Sequence, residues 1–197
     1  MSAKKPKIKK FRIESLETER LLLRPLRMSD AAAIFAYASD PEVSRNVRFR
    51  THRKIAESRA FLRFVMKRYR SGAEPVWGIE LKADRRVIGS IGMVDWRRNH
   101  RRAEMGYALH RDSWDRGIAT EAARAVVAFG FVKMDLNRIE AGCYPQNPAS
   151  ARVLEKCGFK FEGMLRQHEY IKGKFRDARL YSLLREEFFH RRVRRGR

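Results

Sequence analysis

Apolar residues recur along this chain with two periods, and the changes of period divide it into elements. Residues 18–26 suit a buried strand, with Leu21, Leu22, Leu23 and Leu26 as its apolar set and Pro25 placing its end near an edge. A helix follows at once, with Ser29 as N-cap, Asp30 at its positive end, and Ala33, Ile34, Tyr37 and Ala38 on one face before Asp40-Pro41 stops it. The next helix is predicted over 55–70, where Ile55, Leu62, Val65, Met66 and Tyr69 make an apolar stripe and arginines and lysines take the other face. A basic amphipathic helix also suits a membrane surface, but in a chain of this size such a stripe more often packs on a sheet. Strand-like segments over 76–81, 86–96 and 101–109, joined by polar turns at 82–85 and 97–100, predict an antiparallel meander.

Past Leu109 the period changes to that of a helix, with Ala119, Ala122, Ala123, Val126, Gly130 and Phe131 on one face. A strand over 138–144 comes next, and the helix between it and the preceding strand makes a crossover that favours parallel pairing. Asn147-Pro148 opens a short helix that Gly158 ends, and residues 159–170 and 175–184 form a hairpin around Lys172-Gly173. The fold class is therefore α+β, a mixed and mainly antiparallel sheet of about seven strands with about four helices. No internal repeat is visible.

Composition narrows the class. The 197 residues suit one domain, and 44% hydrophobic content allows a real core despite a charged fraction of 35%. No apolar run is long enough to span a bilayer and the amino terminus lacks a signal-like apolar segment, so the expectation is a soluble, cytoplasmic chain without membrane partners. Cys143 and Cys157, without ligand spacing or an acid or histidine at motif distance, read as core residues in a reducing compartment, and no metal is expected. The five histidines show no ligand spacing either. Net charge is +22; five lysines within residues 1–10 and five arginines within 191–197 leave the body at +12. The expected division is a basic arm over 1–16, a domain over 17–188 and a basic tail over 189–197. Ten cations and one acid, Glu57, lie between Arg45 and Arg70, and Arg97, Arg98, Arg101 and Arg102 surround another turn. Singly each cluster reads as a solvated face; together they suggest contact with RNA or the ribosome. Trp77, Trp96 and Trp114 read as packing residues, Trp96 beside Arg97 and Arg98 also suiting RNA stacking.

The stretch Trp114-Asp-Arg-Gly-Ile-Ala-Thr-Glu-Ala122 runs from strand through a glycine turn into a helix. A helix N-terminus offers unpaired N–H groups and about half a positive charge, enough to hold a pyrophosphate. Alternatively Gly117 only turns the chain, and Asp115 or Thr120 caps a core helix.

This stretch, followed by Asn147-Pro-Ala-Ser-Ala-Arg-Val-Leu-Glu-Lys-Cys-Gly-Phe159, resembles the pyrophosphate loop and the later Asn-x-x-Ser segment of the GNAT superfamily of acetyl-CoA-dependent N-acetyltransferases. The similarity extends over about residues 17–187, including Thr18-Glu-Arg-Leu-Leu-Leu-Arg24 and Asp177 with Leu180-Tyr-Ser-Leu-Leu184, in the pattern of the branch containing ribosomal-protein N-terminal acetyltransferases. Departures are Trp114 and Ala119, where many members have Gln or Arg and Gly, and Leu154, where many have a general-acid tyrosine. The resemblance implies acetyl-CoA held by Ala108, Leu109, Arg116, Gly117, Ile118, Ala119, Thr120 and Asn147, with backbone N–H near Leu109 polarising the thioester carbonyl. It implies Ser150 as general acid and Glu169 as base; Glu104, at the edge of the strand before the loop, is a second base candidate. The alternatives are a helix-start serine and sheet-surface carboxylates paired with arginines.

The expected activity is direct acetyl transfer in a ternary complex to a primary amine, foremost the N-terminal α-amine of a ribosomal protein. An α-amine, with a pKa near 7.7–8.0 against about 10.4 for lysine, is far easier to deprotonate at neutral pH. A basic enzyme also repels free polyamines. The alternatives are a small-molecule amine acetyltransferase and an RNA- or ribosome-binding protein on the same fold. The oligomeric state is open, a homodimer included.

Overall fold

The computed structural model of the chain describes residues 12–195, with side chains to residue 190; the lysines of the expected arm and the end of the expected tail lie outside the described residues. Among the described residues eight strands form one sheet: β1 (Leu16–Glu17), β2 (Leu21–Pro25), β3 (Val76–Leu81), β4 (Val87–Arg97), β5 (Arg102–Leu109), β6 (Arg138–Cys143), β7 (Lys160–Ile171) and β8 (Lys174–Leu184). Their order is β1-β2-β3-β4-β5-β6-β8-β7. Every neighbouring pair is antiparallel except β5 and β6, as the intervening helix requires.

Six α-helices accompany the sheet among the described residues: α1 (Ala31–Ala38), α2 (Pro41–Arg45), α3 (Ile55–Ser71), α4 (Ile118–Val132), α5 (Pro148–Cys157) and α6 (Arg185–Arg195). Both counts slightly exceed expectation. β1 has two residues, too few to show a period. Asp40-Pro41, read only as a stop, also starts α2, because the Asp40 carboxylate accepts from the Glu42 N–H and Pro41 sits where no N–H is needed. α6 begins before the expected tail and continues into it, its Phe188 ring 5.1 Å from that of buried Phe131. Ser29 does not cap α1: residues Met28–Asp30 form a 3-10 turn, and the Asp30 carboxylate accepts from the Arg27 N–H.

Helices cover both faces of the sheet. α4 and α5 pack over one through Ala122, Ala123, Val126, Phe131, Ala151 and Leu154, against Trp77, Ile79, Met93 and Ile139. α1 and α3 pack over the other through Ile34, Tyr37, Leu62 and Val65, while Ile55, expected in that stripe, is exposed. Trp77, fully buried, meets Phe129 edge to face at 5.1 Å between ring centroids.

A charged knot ties the start of the sheet to α1. Arg24 forks onto the Asp30 carboxylate at 2.8 and 2.9 Å and donates to Glu80 at 2.5 Å, all three side chains being nearly buried. Burial pushes the Asp30 carboxyl upward, but Arg24 and the Arg27 amide more than offset it, leaving it below the ordinary value. Removing the guanidinium strands two buried carboxylates, so Arg24→Ala should lose about 3–5 kcal/mol in urea unfolding at pH 7. A depressed carboxyl contributes fully above its unfolded pKa of about 3.9 and loses its contribution as pH falls through the folded value. The difference between wild type and Arg24→Ala should therefore shrink below about pH 4. A second prediction concerns Gly89, where an added Cβ would lie 2.3 Å from the Ala108 carbonyl oxygen on β5. Gly89→Ala should cost about 1–3 kcal/mol in the same assay.

Candidate active site

The β5–β6 ladder ends early. Arg102, Ala103 and Glu104 pair with Arg138, Ile139 and Glu140, and beyond them no ladder joins the two strands among the described residues. Among the described residues the rest of β5 pairs with β4 alone, and the rest of β6 with β8 alone. This split leaves one backbone edge of residues 105–109 facing a cleft.

Above the split the chain enters α4 through a tightly curled loop. Asp115 and Gly117 have φ of 55° and 74°, the left-handed region where glycine is strain-free. Neither Asp115 nor Thr120 caps the helix; Gly117 is the N-cap residue, and no side chain caps the helix start among the described residues. The first intrahelical bond runs from the Glu121 N–H to the Gly117 carbonyl, and the amides of Ile118, Ala119 and Thr120 have no partner among the described residues. Three adjacent free donors beside small side chains suit a pyrophosphate.

The N-terminal segment Thr18-Glu-Arg20 braces this loop. The Glu121 carboxylate accepts from the Thr18 hydroxyl at 2.6 Å, the Arg20 amide at 2.9 Å and the Arg20 Nε at 2.7 Å. Arg20 also donates to the Arg116 carbonyl at 3.0 Å. One salt-bridged carboxylate thus fixes both the loop and the first turn of α4, in an arrangement that joins two distant sequence segments.

A cleft of about 390 Å³ opens between the β5 edge, this loop and α5, lined by Ala108, Leu109, Gly117, Ile118, Ala119 and Thr120 on one side and by Asn147 and Ser150 on the other. These residues supply the donors and the narrow, largely apolar walls that a pantetheine arm and pyrophosphate need. Arg116 stands apart: it is exposed, does not line the cleft and takes part through its carbonyl. Trp114 is exposed and lines the cleft, its indole N–H donating to the Leu109 carbonyl at 3.1 Å.

α5 is capped by Asn147, whose side-chain oxygen accepts from the Ser150 N–H at 3.1 Å. The Ser150 hydroxyl is therefore not a cap and lies 2.8 Å from the Tyr107 hydroxyl of β5. Burial pushes the Tyr107 phenol far upward, against a smaller downward effect of Ser150, so it keeps its proton. Tyr107 can donate to Ser150 Oγ and leave the serine proton free.

A second, larger cleft of about 650 Å³ meets the first at Tyr107, Ala108, Asn147 and Ser150. Glu104 on β5 and Glu169 on β7 both line it. Arg48, from the segment between α2 and α3, holds both carboxylates: it donates to Glu104 at 2.7 and 3.1 Å and to Glu169 at 2.7 Å. The Tyr144 hydroxyl donates to the other Glu169 oxygen at 3.3 Å. Burial, then the Glu169 charge, push that phenol upward.

A bulge aims Glu169 at this cleft. Leu165 faces Ala178 and Glu169 faces Arg176, so β7 carries extra residues between these partners. Gln167 sits there at φ 48°, its amide donating to the Asp177 carboxylate at 2.7 Å. Arg48, Tyr107 and Tyr144 carry no motif signal in the sequence, and Arg48 reaches Glu169 across 121 positions.

Among the described residues no group of three or more His, Cys, Asp or Glu side chains could hold a metal ion, and no helix is long and apolar enough to cross a membrane. Burial pushes the Cys157 thiol up to about 11 and raises that of Cys143, which disfavours the thiolate form a nucleophile needs.

Residues 20–160 match the family model described as an acetyltransferase (GNAT) domain. The chain is 38% identical over 170 residues to the uncharacterized N-acetyltransferase YoaA of Bacillus subtilis (strain 168), covering 86% of this chain and 96% of the relative. It is 35% identical over 178 residues to the uncharacterized N-acetyltransferase p20 of Bacillus licheniformis, covering 89% and 99%. Among solved structures, RimJ of Mycobacterium smegmatis in complex with CoA-disulfide superposes with a TM-score of 0.79 at 27% identity, covering 93% of this chain and 95% of that one. The chain belongs to the GNAT family and is an acetyl-CoA-dependent N-acetyltransferase.

Proposed function

We propose that this enzyme acetylates the N-terminal α-amine of a protein in the cytoplasm, a ribosomal protein being the acceptor class its sequence resembles. One observation carries this reading: a cleft suited to acetyl-CoA and a cleft holding Glu104 and Glu169 meet at Ser150 and Tyr107.

Acetyl-CoA supplies the acetyl group as a thioester. The free amides at the start of α4 hold its pyrophosphate, and the β5 edge near Leu109 directs N–H groups toward the reacting carbonyl. Glu169 removes the acceptor's proton, directly or through water, with Glu104 beside it. Ser150 Oγ–H gives a proton to the leaving sulfur, and Tyr107 orients that hydroxyl by donating to it. These groups suit an α-amine better than a lysine, whose deprotonation at pH 7 costs about 3 kcal/mol more.

The basic surface supports an acceptor presented beside RNA. Arg59, Arg63, Lys67 and Arg70 are exposed on α3 and make no ion pair among the described residues, while Phe61, Phe64 and Arg68 of the same helix line the acceptor cleft. A free polyamine meets repulsion from these cations.

With acetyl-CoA, a peptide bearing a free α-amine should gain one acetyl group by mass spectrometry, and the same peptide blocked at its N-terminus but retaining a lysine should not. Turnover of spermidine with every peptide inert would establish the small-molecule reading; salt-sensitive RNA binding without thermal stabilisation by acetyl-CoA would establish the binding-protein reading. Glu169→Gln and Ser150→Ala should each lower kcat by about 10²–10⁴-fold. Tyr107→Phe should lower it by about tenfold, as expected for one net hydrogen bond, without changing acetyl-CoA affinity. Unchanged kcat in Glu169→Gln and Glu104→Gln alike would remove both carboxylates from the chemistry.

A further inference from the structure

The Arg48 guanidinium sits where the proposed reaction needs its acceptor. Its main chain is pinned: Lys172 Nζ donates to the carbonyls of Ser44 and of Val47, the latter at 2.9 Å, and the Ser44 and Thr51 hydroxyls bond at 2.6 Å. The His52 amide donates to the Ala38 carbonyl at 3.0 Å. Beyond this anchored backbone the side chain reaches across the cleft and is 50% exposed, whereas Glu104 and Glu169 are only 23% and 15% exposed. The cation lies on the solvent side of the carboxylates.

Hydrogen bonds from Arg48 use both oxygens of Glu104 and one of Glu169, and Tyr144 uses the other Glu169 oxygen. A carboxylate so engaged is poorly placed to take a proton from an amine or a water. The neighbouring acid lining the cleft, Asp95, is paired with Arg97 and Arg102 and offers no alternative anchor for Arg48. The guanidinium is half exposed and can leave toward solvent, while the two carboxylates stay behind partly buried and need a cation, so a second cation can compete for the same oxygens.

We propose that Arg48 is a built-in stand-in for the acceptor ammonium, and that the acceptor binds by displacing its guanidinium from Glu104 and Glu169. The inference rests on the reading of this cleft as the amine site. It predicts that the acceptor enters as a cation, competes with Arg48 for the carboxylates, and frees Glu169 by doing so.

The test uses full-length protein and methylguanidinium. In Arg48→Ala, methylguanidinium should bind in a saturable NMR titration about fivefold or more tighter than in wild type, and binding should be lost in Arg48→Ala/Glu169→Gln. With a turned-over acceptor, Arg48→Ala should lower the acceptor KM by a similar factor, and methylguanidinium should inhibit it competitively against acceptor but not against acetyl-CoA. If Arg48→Ala does not melt cooperatively, Arg48→Met keeps the aliphatic stem and serves the same titration. Absence of methylguanidinium binding to the folded variant, with a raised KM and lowered kcat, would overturn the proposal and make Arg48 a group that positions the carboxylates. The titration needs no acceptor. Binding to the variant with every amine inert would defeat the proposed activity alone, and turnover without such binding would defeat this inference alone.

Discussion

The candidate site depends on the short reach of the β5–β6 ladder. Two parallel strands joined by a helical crossover pair over three residues and then part, leaving a cleft-facing backbone edge without a ladder partner among the described residues. Such an edge is costly in a closed core and useful beside a ligand. The crossover helix α4 starts at the same opening, so its unpaired amides and positive end face the space that the parted strands leave. α5 occupies the far side of the split and carries Ser150 to the place where both clefts meet.

The surrounding structure holds this opening in shape by polar contacts between distant segments. Glu121 gathers Thr18 and Arg20, and through Arg20 the Arg116 carbonyl, so that residues 18–20 brace the loop that enters α4. Asn147 caps α5 and thereby releases the Ser150 hydroxyl for Tyr107. Asp177 holds the β7 bulge that turns Glu169 inward. Each device satisfies a backbone group and orients a side chain at once, so the apolar core sets the layers while these few polar contacts set the site.

Much of this was legible in the sequence, for identifiable reasons. α3 declares itself by its helical period, and Gly158, at φ 98°, ends α5 as a left-handed cap must. Asn147 and Ser150 lie in one motif, so local spacing alone predicts that they share a helix start. β1 and α2 escaped because two- and five-residue elements have no period, and α6 because its charge masked a helix that packs through Phe188. Arg48, Tyr107 and Tyr144 escaped for another reason: each joins the site through a contact between residues far apart in the chain, and no local pattern encodes it. The bulge at Gln167 is equally silent, since it exists only as a mismatch in count between β7 and β8.

The central claim, that the split between β5 and β6 with the first turn of α4 is the acetyl-CoA site, is tested most directly by hydrogen-exchange mass spectrometry with and without acetyl-CoA. The account predicts slowed exchange in peptides covering 105–109, 117–121 and 147–151, with α3 unchanged. Slowing confined to other segments, with the amides of 117–121 exchanging at the same rate in both states, would contradict it.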